Sequence, residues 1–129
     1  EHVVPLSPLA QEIMTTVPGN DALLFPARGA SSNPFSGWRK AKREFDRPLS
    51  LAPYTLHDLR RTFASQLAAL GTPIHVTEKL LNHISGSLSG VAAIYNRYTY
   101  APEMKAAAEA YEAHLRRLLD RNLPSAANV

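Results

Sequence analysis

Apolar positions recur at helical spacing along most of this chain and at strand spacing almost nowhere. "PLAQEIMTTV" sets Leu9, Ile13 and Val17 four residues apart until Pro18-Gly19 interrupts the run, which is the pattern of an amphipathic helix. "PFSGWRKAKREFDRP" also reads as helical, with Phe35, Trp38, Ala41, Lys42 and Phe45 on one face and Arg39, Lys40 and Arg43 elsewhere. In "TLHDLRRTFASQLAALG" the stripe is Leu59, Phe63, Leu67 and Leu70. Thr55 is its expected N-cap, Asp58 makes a capping-box-like start and Gly71 is the stop. Thr72-Pro73 opens a further helix, with Ile74, Thr77 and Leu81 on one side and Val76 and Leu80 beside them. Pro102 opens the longest, to about Asn122, on a stripe of Met104, Ala108, Tyr111, Leu115, Leu118 and Leu119.

Two stretches break the helical pattern: "HVVPLS" reads as a short strand and "DALLFP" as a short buried extended run. "ARGASSNP" and "SGSLSG" are loops. The expectation is a mainly α fold with a minor strand at the N-terminus, forming a single domain over 1–129. Its ordered core spans 3–122, and the tail 123–129 frays.

Composition narrows this picture only a little. A chain of 129 residues, 45% hydrophobic, is long enough for one core. Fourteen Lys and Arg against eleven Asp and Glu give a net charge of +3, which permits a polyanionic partner without demanding one. Without cysteine there is no disulfide framework, thiolate zinc site or cysteine nucleophile, and a reducing, cytoplasmic setting is expected. No apolar run is long enough to span a membrane, and no basic start with an apolar block marks a signal peptide. The opening "EHVVPLSP" reads as a chain already in progress, so an internal piece of a longer protein is expected.

Candidate chemistry gathers at "TLHDLRRTF". At about 100° per residue, Arg61 lies about 200° from Leu59 and faces solvent, whereas Arg60 lies about 60° from Phe63, at the border of the stripe. His57 shares that border one turn earlier. A stem held against apolar side chains leaves the guanidinium fork fixed, as bidentate phosphate recognition needs. The plainer alternative is a helix-start cluster of His57, Arg60 and Asp58 that serves stability. His83, at the end of "KLLNH", and Tyr95, twelve residues on in "AIYNRY", extend the candidate set. Their plain alternatives are a satisfied helix-end histidine and a packed tyrosine. For Arg39, Lys40 and Arg43, DNA-backbone contact competes with a solvated helix face.

"TLHDLRRTFASQLAALGTPIHVTEKLLNHISGSLSGVAAIYNRY" resembles the carboxy-terminal half of the catalytic domain of the tyrosine recombinases, the integrases of phages and integrative elements. Their signature is H-x-x-R at a helix start, a leucine pair before a histidine, and a tyrosine about a dozen residues later. His57, Arg60, His83 and Tyr95 occupy those places, and the resemblance extends over about residues 3 to 115. It implies the helical catalytic domain of that family and site-specific DNA integration or excision. The tyrosine would attack a DNA phosphate and form a 3′-phosphotyrosine, with no cofactor or metal. It further implies a double-stranded DNA partner, with Arg39, Lys40, Arg43 and Lys79 as binding candidates, and a homo-oligomer on DNA in a bacterial cell.

Asn82 stands where the family usually has glycine. The family's first catalytic arginine, its acidic neighbour and its hairpin lysine would lie upstream of Glu1, so this piece alone is expected not to cleave DNA. The competing reading is a non-catalytic helical DNA-binding module, with Thr62 to Glu78 as a helix-turn-helix.

Overall fold

A computed structural model describes residues 2–29, 32–83 and 98–122. Among them are five helices: α1 (Pro8–Thr15), α2 (Trp38–Asp46), α3 (Leu56–Ala69), α4 (Ile74–Leu80) and α5 (Ala101–Asn122). The chain divides into two compact units, one of Glu1–Leu9 with Leu56–Val129 and the other of Ala10–Thr55.

The first unit is built on α3, α4 and α5, which pack on one another. Leu67 and Val76 are fully enclosed, with Leu80, Met104 and Ala107 around them and Phe63, Tyr100 and Tyr111 packed against that nucleus. Full burial of one such side chain is worth about 1.5–3 kcal/mol, so these few positions hold the three helices together. Phe63 and Tyr111 meet edge to face at 4.7 Å.

The apolar stripes extend further than the core does. Leu59 is 55% exposed, Ile74 65% and Leu119 61%, although each falls on its helix's predicted buried side. Periodicity defines a face, whereas coverage depends on what lies over it. α4 has seven residues and covers about 10 Å of its neighbours.

Helices α3 and α4 end in the same motif. Gly71 has φ +83°, its N–H donates to the Ala68 carbonyl, and Thr72 N–H donates to Leu67. At the end of α4, Asn82 has φ +51°, its N–H donates to Lys79, and His83 N–H donates to Glu78. These are paired Schellman closures, and each needs a residue tolerant of the left-handed region at the turn. The α4 turn starts one residue later than Thr72-Pro73 suggested, since Pro73 is itself the N-cap and its carbonyl accepts from Val76 and Thr77.

The N-terminal strand is not found: residues 2–7 are extended without a ladder partner. Among the described residues the β features reduce to one bridge between Pro26 and Pro34. A strand exists through its pairing, and Pro5 and Pro8 each remove a donor from this one. Side chains hold the arm instead. The Glu112 carboxylate accepts from Leu9 N–H at 2.8 Å, and His2 Nε2 lies 3.5 Å from the Leu80 carbonyl.

In the second unit a tight loop closes between Phe25 and Phe35, with Ala27 N–H donating to Asn33 and Phe35 N–H to Phe25. The Trp38 ring stands edge-on to both phenylalanines, at 5.2 and 4.9 Å. Gly37 makes room for this packing: a Cβ there would come within 2.7 Å of the Phe35 ring. Lys42 pairs with Asp46 and sits 3.7 Å above the Tyr54 ring. The "DALLFP" run is less covered than its composition suggested, since Phe25 is 43% exposed.

Candidate functional site

Arg60 is half-buried and its fork is fixed at two points. Nη2 donates to the Leu81 carbonyl at the end of α4, and Nε donates to His83 Nε2 at 3.3 Å. The local fold explains both contacts. The left-handed turn at Asn82 reverses the chain just after α4, which brings the Leu81 carbonyl and His83 to the side of α3 where Arg60 emerges. Because Nε2 accepts in this arrangement, the neutral imidazole carries its proton on Nδ1. Nη1 has no partner among the described residues, and the imidazole beside the fork is exposed. A planar, charged fork suits an oxyanion such as a phosphate ester.

Arg61, its chemical twin, is placed quite differently. Its side chain is 73% exposed, and Nη1 lies 3.1 Å from Asp58 Oδ1 on its own helix. Asp58 therefore serves Arg61 at the helix start. His57 is exposed in the first turn of α3, with no hydrogen bond or ion pair to another described residue, so the structure joins Arg60 to His83 and leaves His57 out of that pair. Tyr95 lies outside the described residues. Lys79 is half-buried in the last turn of α4.

The remaining DNA candidates lie in the second unit. Ser36, Gly37, Arg39, Lys40 and Arg43 line an open concavity of about 500 Å³. Lys40 reaches Glu44 at only 4.0 Å with both side chains largely in water, so that pair is weak. Arg39 and Arg43 are exposed and one turn apart, a like-charged pair that costs a few tenths of a kcal/mol in an isolated helix.

The shifted titrating groups are Glu112, Asp46 and Tyr98. Hydrogen bonds to Leu9 N–H and from Arg116 and Ser7 hold the Glu112 carboxyl below the usual carboxylate range, the Leu9 bond contributing most. The Lys42 bond, helped by Tyr54, does the same for Asp46. Partial burial and then the Glu103 carboxylate push the Tyr98 phenol up. Among the described residues, no group of three His, Asp or Glu side chains is arranged as a metal site. No helix among them is long and apolar enough to cross a membrane.

Two participants had no sequence signal. The Leu81 acceptor is a backbone carbonyl, and the Glu112 contact joins positions 103 residues apart. Comparison with family models, curated proteins and solved structures finds no match to this chain.

Proposed function

We propose that this chain contributes the histidine, arginine and tyrosine part of a tyrosine recombinase catalytic domain, acting on double-stranded DNA in site-specific integration or excision. The observation that carries this reading is the Arg60 fork, braced on Leu81 and His83. The motif order His57, Arg60, His83, Tyr95 supports it.

In the proposed reaction the Tyr95 phenol oxygen forms a bond to a backbone phosphorus, and the bond from phosphorus to the 5′ oxygen breaks. The phenol proton leaves with the help of His57, and the departing 5′ oxygen takes up a proton to become a hydroxyl. The 3′-phosphotyrosine keeps the energy of the original diester, so attack by a different 5′ hydroxyl rejoins strands without a cofactor. Arg60 donates two parallel N–H groups to the phosphoryl oxygens as their charge develops, and His83 donates a further hydrogen bond there. The assembly on DNA would be a homo-oligomer.

The test uses the full-length protein on a nicked duplex that traps the covalent adduct. Adduct formation that Tyr95→Phe abolishes supports the reading. A full-length protein that binds duplex DNA and never forms adduct would refute it. The second reading, a DNA-binding module without catalysis, is favoured by the basic concavity at Arg39, Lys40 and Arg43 and predicts that second outcome.

A further inference from the structure

The end of α4 can be accounted for carbonyl by carbonyl. Of its last four backbone acceptors, Glu78 and Lys79 are taken by the Schellman closure through His83 and Asn82. Leu81 is taken by Arg60. Among the described residues the group that meets the Leu80 carbonyl is the imidazole of His2, with Nε2 at 3.5 Å, brought there from 78 residues away. Helix ends leave such carbonyls orphaned, and cationic or N–H-bearing side chains complement both the carbonyls and the negative end of the dipole. Arg60 and His2 thus stand on consecutive carbonyls of one helix end, the end whose turn carries His83.

The arm that carries His2 is fixed at its other end as well. Glu112, on α5, accepts from Leu9 N–H at 2.8 Å and from Ser7, and Arg116 holds its second oxygen at 2.9 Å. These side-chain contacts join the arm to α4 at one end and to α5 at the other.

We infer that His2 is a positioning residue of the Arg60–His83 centre, and that the N-terminal arm is a strap which, anchored by Glu112, completes the α4 cap and so fixes the Arg60 fork. Its meaning for DNA chemistry rests on the recombinase reading. Its structural content does not, so the test is made without DNA.

The Arg60 Nε–H and the His83 ring are followed by nitrogen-resolved NMR in the 129-residue chain. His2→Ala should speed exchange of the Arg60 Nε–H by roughly five- to tenfold, the loss of about one net hydrogen bond, and should shift the His83 ring signals. His2→Gln, which keeps an N–H donor at similar reach, should restore both. Glu112→Gln, which frees the arm at its far end, should move the same signals in the same direction as His2→Ala. The Phe63 and Tyr111 ring contacts should persist throughout, separating local release from unfolding. Unchanged Arg60 and His83 signals in His2→Ala would overturn the inference, as would a His2→Gln variant indistinguishable from His2→Ala. Failure of adduct formation in the DNA assay with these signals behaving as expected would count against the recombinase reading alone.

Discussion

Arg60 and Arg61 differ by one position and by everything around them. Arg60 is braced on Leu81 and His83, whereas Arg61 shares a solvated pair with Asp58. Lysine cannot reproduce the first arrangement, because one ammonium cannot brace two acceptors in a plane and still present two parallel N–H groups. If the recombinase proposal holds, Arg60→Lys in the full-length protein should lower the rate of adduct formation by about 10²-fold, the scale of losing one preformed oxyanion donor. Arg61→Ala should leave the rate within about twofold and stability within about 0.5 kcal/mol, as expected for an exposed pair. The same scale separates the tyrosines. Tyr98 is held protonated by partial burial and by the Glu103 carboxylate, and Tyr100 is packed against His75 and the core. On the recombinase proposal, whose motif spacing selects Tyr95, Tyr98→Phe and Tyr100→Phe should retain trapping, and Tyr95→Phe should lose it. A Tyr95→Phe protein that still forms adduct would move the nucleophile elsewhere.

Helix ends do much of the work in the first unit. Gly71 and Asn82 serve as left-handed stops for α3 and α4, and a Cβ at Gly71 would meet nothing within 4 Å. Gly71→Ala should therefore cost only the backbone strain, about 1–2 kcal/mol, measured by denaturant unfolding. Leu67→Ala, in the fully enclosed nucleus, should cost about 2–5 kcal/mol. α1 has a remote cap in Glu112, whose carboxyl is ionised to lower pH in the folded chain than in the unfolded one. Its contribution is therefore complete above the ordinary carboxylate range and is lost as pH falls through the depressed value. Glu112→Gln should flatten that acid limb of the stability curve. The helices were legible because their periodicity, prolines and glycines are local. The N-terminal strand was misread because residues 3 to 6 are compatible with a strand and only a pairing partner could make one. The outward Leu59 and Ile74 were misread because a stripe does not record the length of the element that covers it.

Across the whole molecule the charge surplus is small, +3 in 129 residues, so its distribution matters more than its size. The pairing of Arg60 with His83 could be anticipated from motif order and a helical wheel. The bond to Leu81 could not, since side-chain chemistry leaves no trace of which carbonyl a turn exposes. The concavity at Arg39, Lys40 and Arg43 gathers bases that the sequence left open between solvated face and DNA contact. If the chain binds duplex DNA as proposed, replacing Arg39 and Arg43 together by glutamine should reduce the salt slope of that binding by up to about two and weaken it alike on all sequences. A change confined to one DNA sequence would mean base reading instead. Gly37 ties this surface to the Phe35 ring. The Phe35 ring lies where any side chain at position 37 would begin, and Phe35 in turn braces Trp38, the first residue of α2. A single methyl group there would need no new charge and no lost base to alter how the basic helix is presented. Variation at position 37 would thus act from behind, leaving Arg39 and Arg43 chemically intact and aimed differently.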